Sequence, residues 1–298
     1  MEVTISPGRL AGKVAVPGSK SMAHRGLIAA ALADGPSRIQ NATPSGDIEA
    51  TVRCLTALGA EIRREGEDLE VTPLHRRWRG RIVLPCGESG STLRFLIPIA
   101  LAVAGGGAFT GHGRLMERPQ GPYRDLFRDK GIAWEQRDGV LTVRGKLTPG
   151  EYRLPGDVSS QFFTGLLFAL PLLESPSTIV PTTAVESWDY ICMTLDALAG
   201  AGVAVPEPRR GGAFSISPHP YRSFDRCVEA DWSQAGFWYA ADFLDSRVDI
   251  RGLNPDSAQG DKAVSELYWR LARPGDTEID AIRISGRSLN RAKKSSWH

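Results

Sequence analysis

Lys20 and Arg25 stand five residues apart, behind the break Pro17-Gly18 and beside the hydroxyls of Ser19 and Ser21. An Ala/Leu-rich stretch follows, so these residues fall at the start of a predicted helix. A helix start exposes unpaired backbone N–H groups and the positive end of the dipole. Lys, Arg and hydroxyls placed there make a site for phosphate or carboxylate. Arg grips such groups through two parallel bonds, whereas Lys acts as a mobile point charge. The phrase returns as Pro85-Cys86-Gly87-Glu88-Ser89-Gly90-Ser91-Thr92 with Arg94 just beyond, and again as Pro155-Gly156-Asp157-Val158-Ser159-Ser160-Gln161. Arg118 lies in a further Pro/Gly break, Met116-Glu117-Arg118-Pro119-Gln120-Gly121. Taken singly, each cation reads as a solvated helix-end charge and each serine as a plain N-cap. Repetition favours anion binding. A nucleotide-binding P-loop fits poorly, because Ser19 rather than Gly precedes Lys20.

Other chemistries find little support. No Ser/His/Asp set has a nucleophile-elbow context. His24, His75, His112 and His219 lack metal-ligand spacing and read as surface or structural residues. Cys54, Cys86, Cys192 and Cys227 form no CxxC or Cys/His pattern and read as reduced thiols. Asp47, in Pro44-Ser45-Gly46-Asp47, is either a helix cap or a substrate contact. Glu186-Ser187-Trp188-Asp189-Tyr190 precedes a predicted helix, and Glu229-Ala230-Asp231 closes a predicted strand.

The elements that must position these groups repeat. Behind each phrase lies a helical segment ending in Leu, Gly and a β-prone stretch, at 55–62, 126–134 and 195–205. Gly59, Gly131 and Gly202 stand where a helix C-cap belongs. The landmarks recur roughly 70 residues apart, a spacing that points to repeated supersecondary units. Paired alternating strands follow, such as 61–64 with 69–72 and 133–136 with 140–143, joined by Gly66-Glu67-Asp68 and Asp138-Gly139. The predicted unit is therefore βαβαββ, opening for the first copy at the strand 13–16. Three copies reach about residue 220. A weaker fourth opens at 227–231, with helices at 232–244 and 263–271 and Ala272-Arg273-Pro274 in place of the glycine cap.

The chain has 298 residues, 42% of them hydrophobic and 23% charged, with a net charge of +2, an ordinary globular balance that argues against nucleic-acid binding. The amino terminus lacks a signal-peptide pattern, and the apolar run 95–104 is broken by Pro98 and too short to span a bilayer, so a cytoplasmic protein is expected. Residues 282–298 are basic, lack acidic residues and apolar periodicity, and read as a disordered tail.

The ordered motifs PGSKSMAHR, GESGSTLR, MERPQG, PGDVSSQF and ESWDY resemble the 3-phosphoshikimate 1-carboxyvinyltransferase (EPSP synthase) family over about residues 3–281. The resemblance implies an α/β fold of repeated βαβαββ units forming a two-lobed enolpyruvyl transferase, an inside-out α/β barrel. One lobe is expected at 17–226, and a partial second lobe at 1–16 with 227–281. The implied reaction transfers the enolpyruvyl group of phosphoenolpyruvate to the 5-hydroxyl of shikimate 3-phosphate and releases phosphate, on the way to chorismate and the aromatic amino acids. It needs no metal or cofactor, and its partners are these two small substrates, with no nucleic acid or membrane. Carried over by motif, Lys20, Ser21, Arg25, Ser159, Ser160, Gln161, Ser187 and Tyr190 would bind shikimate 3-phosphate. Lys20, Gly90, Arg94, Arg118 and Gln161 would face phosphoenolpyruvate. Glu88 stands where many relatives carry Asn.

The family's shikimate-binding aspartate, its catalytic lysine and glutamate and much of its phosphoenolpyruvate clamp belong to motifs that this sequence does not contain. Catalytic residues are therefore unassigned. The expectation is a C-terminally truncated member, with a frameshift near Ala281, slow or absent turnover, and self-association through an apolar face left exposed at Trp232, Phe237, Trp238, Tyr239 and Trp269. Full-length relatives are expected to be monomeric. Alternatives are a non-catalytic shikimate-3-phosphate-binding fragment, or the sister transferase acting on UDP-N-acetylglucosamine. Lys20-Ser21 and the cysteine-free Arg118 loop argue against the latter.

Overall fold

Three helices lack a polar stripe, and this decides where they go. A helix that is apolar all round must be covered on all sides. In α1 (Lys20–Leu32) every residue from Met22 onward is buried. In α5 (Ser160–Ala169) only Gln161 escapes burial. α3 (Gly90–Ala104) is buried at Thr92, Leu93 and from Phe95 through Leu101, continuing straight through Pro98. α3 packs on α5, and α6 (Trp188–Gly200) packs on both α5 and α1. The α3–α5 approach is set by Gly165, where an added Cβ would stand 2.6 Å from the Arg94 carbonyl oxygen and 2.9 Å from the Pro98 ring.

The structure is a computed structural model that describes residue 4 and residues 8–74 and 82–271. It divides into two compact units, one of Gly18–Val228 and one drawn from Met1–Pro17 and Glu229–His298. Among the described residues of the first unit, three sheets accompany the helices. The second repeat is complete: β5 (Val83–Pro85), α3, β6 (Gly106–Thr110), α4 (Gly121–Asp129), β7 (Ala133–Arg137) and β8 (Val140–Arg144). Its sheet order is β5-β6-β8-β7, with β5 parallel to β6 and the other pairs antiparallel. The third repeat supplies β9 (Glu151–Leu154), α5, β10 (Ser177–Pro181), α6 and β11 (Phe214–Ile216), ordered β9-β10-β11. The expected strand within 203–205 does not form. Pro206 and Pro208 remove backbone donors and restrict the residues before them, so β11 pairs with β10 alone.

The first repeat contains α1, β2 (Ser37–Gln40), α2 (Gly46–Ala57), β3 (Glu61–Glu65) and β4 (Asp68–Thr72). Its opening strand is not the one at 13–16. That segment forms β1 (Ala11–Ala15), which pairs in parallel with β13 (Arg247–Arg251) in the other unit. The vacant place beside β2 is taken by β12 (Asp225–Cys227), giving the order β12-β2-β4-β3. The strand that completes the first repeat thus overlaps the segment read as opening a fourth copy, 227–231, only at Cys227. Alternation specifies a strand but not its partner, and short strands carry few contacts to fix one. Gly59, Gly131 and Gly202 follow α2, α4 and α6 with φ of +93°, +72° and +76°, the left-handed turn that only glycine takes cheaply.

The second unit holds β1, β13, α7 (Trp232–Phe243) and α8 (Ala263–Leu271). Asp231 caps α7, accepting from the Ser233 and Gln234 amides at 2.9 and 3.3 Å. Its core is small: Val16, Ala230, Trp232 and Ala235 are buried, with Trp238 and Tyr239 only partly so. Phe237, Leu244 and Trp269 remain 78%, 58% and 55% exposed. Among the described residues no helix is long and apolar enough to cross a membrane. The readings for His75, for Ala272-Arg273-Pro274 and for the tail 282–298 lie outside the described residues.

Candidate anion-binding site

The repeated phrase works by close backbone approach. Gly18 donates its amide to Thr43 Oγ1 at 3.0 Å, and a Cβ there would stand 1.9 Å from the Asn41 carbonyl oxygen. Gly156 donates to Thr183 Oγ1 at 2.8 Å, and a Cβ there would meet two carbonyl oxygens at 2.8 Å. In the second repeat the His112 amide donates to the Gly87 carbonyl at 2.9 Å. Gly87 and Gly156 therefore pin their loops to the loop that follows the next parallel strand, and Gly18 pins its loop to the one that follows β2. Only a residue without a side chain permits such an approach at Gly18 and Gly156.

Serine side chains cap the starts of α2, α3 and α5, whereas Ser19 before α1 makes no side-chain cap bond. Ser45 accepts from Ile48 N at 3.3 Å, Ser89 from Thr92 N at 3.2 Å and Ser159 from Gln161 N at 3.3 Å. Asp47 is accordingly not the cap of α2. Its carboxylate pairs with Lys20 Nζ at 2.8 Å, joining the starts of α1 and α2. Thr92 Oγ1 lies 2.8 Å from Thr51 Oγ1, joining α2 to α3.

The starts of α3 and α5 meet through a guanidinium. Arg94 Nη1 donates to Gln161 Oε1 at 2.8 Å, and Nη2 donates to the Pro119 carbonyl at 3.1 Å. The group lies 4.8 Å over the Phe162 ring, and its Nε is buried without a partner. Gln161 Nε2 in turn donates to Ser91 Oγ at 2.9 Å. Arg118 follows the 3-10 turn Leu115–Glu117, and its Nη1 stands 2.8 Å from where a Gly90 Cβ would be. The glycine thus admits a second guanidinium to the first turn of α3. Burial, with the Arg118 charge as a further cause, pulls the Arg94 pKa below its ordinary value. Among the described residues neither arginine forms a salt bridge. Two unneutralised cations at a helix N-terminus are a standing invitation to an anion.

Arg25 is 2% exposed and organises a second cluster. It donates to Thr194 Oγ1 at 2.9 Å, to the Ser21 carbonyl at 2.8 Å and to the Tyr190 carbonyl at 2.8 Å. Desolvation brings its pKa down to about 10. Arg25 thereby locks α1 against α6 and sets Ser21 beside Tyr190. Ser159 and Ser160 at the start of α5 adjoin the loop before α6, because the Glu186 amide donates to the Gly156 carbonyl at 3.0 Å. Ser187, at the head of α6, has φ of +52° and caps nothing. Left-handed backbone at a non-glycine residue costs roughly 1–2 kcal/mol and tends to persist at functional sites. Ser187→Gly is expected to raise unfolding free energy by up to ~1 kcal/mol in denaturant titration, while weakening binding of any phosphate held by the hydroxyl.

Sequence reasoning missed several participants. Ser91 and the Pro119 carbonyl lie within quoted motifs but carry no charge to single them out. Thr194, one helical turn after Tyr190, supports Arg25 and accepts or donates to Thr164 Oγ1 at 2.9 Å. Cys54 and Cys86, distant in sequence, bring their sulfurs to 3.9 Å, both buried.

His24 is buried, with Nδ1 2.7 Å from Thr51 Oγ1. Burial pushes its pKa from 6.5 down to about 3. The native state therefore holds the imidazole neutral while the unfolded chain takes up a proton below pH 6.5. Stability from this group is complete above that value and falls as pH drops toward 3, by about 1.4 kcal/mol per unit. At pH 4.5 the loss relative to a His24→Gln variant is expected to be ~2–3 kcal/mol in paired urea titrations.

Apolar helices, serine-capped helix starts and two guanidinium groups without a salt bridge among the described residues define an α/β repeat protein with a candidate anion site. A family model described as EPSP synthase (3-phosphoshikimate 1-carboxyvinyltransferase) matches residues 5–288. A 3-phosphoshikimate 1-carboxyvinyltransferase of Clostridium beijerinckii is 42% identical over 276 residues, covering 90% of this chain and 63% of that protein. One of Clostridioides difficile is 39% identical over 298 residues, covering 96% and 68%. An EPSP synthase structure from Acinetobacter baumannii shares the fold with a TM-score of 0.72 at 21% identity, over 87% of this chain and 59% of that one. The chain belongs to the EPSP synthase family. It spans 63% of the length of the first curated relatives it matches.

Proposed function

We propose that this chain serves the transfer of the enolpyruvyl group from phosphoenolpyruvate to the 5-hydroxyl of shikimate 3-phosphate, in the cytoplasm. The reaction forms a bond from that hydroxyl oxygen to the enolpyruvyl carbon and breaks the bond from that carbon to the phosphate oxygen, and the hydroxyl proton is lost, its balance closed by protonation of the released phosphate. The observation that carries this reading is the Arg94–Arg118 pair against Gly90, two cations at a helix start with no ion-pair partner among the described residues. They hold phosphoenolpyruvate, with Gln161 between the two ligands and the Gly90 backbone turned to the anion. Ser21, Arg25 and Tyr190 hold the shikimate ring side, and Ser159, Ser160 and Ser187 hold its phosphate. Lys20 exchanges its Asp47 partner for the substrates. Preorganised charges of this kind are worth ~2.7–4 kcal/mol each where charge develops in a transition state.

Equilibrium binding tests the assignment. Shikimate 3-phosphate is expected to bind and UDP-N-acetylglucosamine not. The reverse preference would reassign the chain to the sister transferase. The exposure of Phe237, Leu244 and Trp269 in the second unit supports a further reading, that the chain self-associates. Phe237→Asp is expected to shift the population toward monomer in light scattering, and a native chain that is already monodisperse and monomeric would exclude the association.

A further inference from the structure

A file of buried polar side chains runs beneath the anion site, among helices that are otherwise apolar. His24 Nδ1 stands 2.7 Å from Thr51 Oγ1, which lies 2.8 Å from Thr92 Oγ1. Thr92 Oγ1 donates to Ser89 Oγ at 2.7 Å, the same oxygen that caps α3. Thr51 Oγ1 also reaches the Asp47 carbonyl at 3.3 Å. His24, Thr51, Thr92 and Ser89 are each no more than 1% exposed. His24 Nε2 has no partner, and the ring meets Phe95 edge-on at 6.3 Å.

Buried hydroxyls are an expensive way to join helices that aliphatic side chains would join as well, and an unpaired buried nitrogen adds to the cost. What the file provides is direction. A methyl group packs in many orientations, whereas linked hydrogen bonds fix the rotation and height of each helix. The file's two ends bear on the two clusters: one on the backbone carbonyl of Asp47, the residue whose carboxylate pairs with Lys20, and the Ser89 end on the first turn that carries Gly90 and Arg94.

We propose that His24, Thr51 and Thr92 are positioning residues, a buried hydrogen-bonded file that holds the Lys20–Asp47 pair and the Gly90–Arg94 helix start in register for a single anionic ligand set. This rests on the proposed function of the site. Thr51 is the pivot, since its hydroxyl alone touches α1, α2 and α3. Thr51→Val keeps the volume and removes the hydroxyl, whereas Thr51→Ser keeps the hydroxyl.

Phosphoenolpyruvate binding in the presence of shikimate 3-phosphate is measured by calorimetry well below each variant's melting temperature. Thr51→Val is expected to weaken it roughly tenfold, the equivalent of one lost buried hydrogen bond, and Thr51→Ser to restore most of it. In the native chain, phosphoenolpyruvate is expected to shift the His24 ring nitrogen resonances, a response that a purely structural contact would not give. Native-like affinity in a folded Thr51→Val chain would overturn the inference alone. If that variant does not fold, unmoved His24 resonances in the saturated native chain overturn it. Failure of the native chain to bind either ligand would overturn the functional reading and this inference together.

Discussion

Arg118→Ala is expected to weaken phosphoenolpyruvate binding by roughly a hundredfold, about 2.7 kcal/mol, with little change in melting temperature. The two halves of that expectation have separate grounds. Arg118 is exposed, and what ties it to the fold is its backbone amide, which donates to the Leu115 carbonyl and survives the substitution. Its guanidinium, by contrast, is brought to the first turn of α3 across a glycine, without a salt bridge among the described residues. A charge held so, at the positive end of a helix, does little for folding and much for an anion. Arg118→Lys keeps the charge and loses the fork, and recovers only part of the affinity. Titration calorimetry with a thermal melt on the same samples separates the two effects. A large drop in melting temperature with affinity retained would assign Arg118 to the fold instead.

Gly165→Ala is expected to destabilise the chain by about 2–3 kcal/mol and lower the melting temperature by roughly 5–10 °C. The added methyl would stand 2.3 Å from Tyr123 Oη, 2.6 Å from the Arg94 carbonyl oxygen and 2.9 Å from Pro98 Cγ. None of these can step aside cheaply. Tyr123 is buried and donates to the Phe162 carbonyl at 2.8 Å, and the other two belong to the body of α3. α3 and α5 must separate, and with them Arg94 and Gln161, whose 2.8 Å bond spans the two helices. Phosphoenolpyruvate affinity therefore falls along with stability. Urea unfolding reads the first and calorimetry the second. A native-like urea midpoint would mean that the helices are not in contact there.

The sequence carried the positions of the helix starts with little ambiguity. Ser89 and Ser159 cap where the Pro/Gly breaks predict, and Gly59, Gly131 and Gly202 turn left-handed where the helices end. These are local signals, set by a residue and its near neighbours. Strand partnership is not local. Nothing in residues 11–15 announces β13 as the neighbour, and nothing at Asp225–Cys227 announces β2, so alternation alone points to 13–16 as the first repeat's opening strand where the fold uses β12. The third repeat's missing strand was closer to legible, since Pro206 and Pro208 stand beside it. At the site, charged residues in motifs were visible and their uncharged supports were not. Thr51, Thr92 and Thr194 are ordinary helix residues until the packing of α1, α2, α3 and α6 brings their hydroxyls together.

The central claim is that the gathered helix starts of Gly18–Val228 hold two phosphate-bearing substrates at once. Phosphorus NMR of an equimolar mixture of shikimate 3-phosphate and phosphoenolpyruvate, titrated with the native chain, tests it most directly. Both phosphorus resonances are expected to move saturably, with the phosphoenolpyruvate shift lost in Arg118→Ala. Two resonances that stay at their free positions through millimolar protein would contradict it.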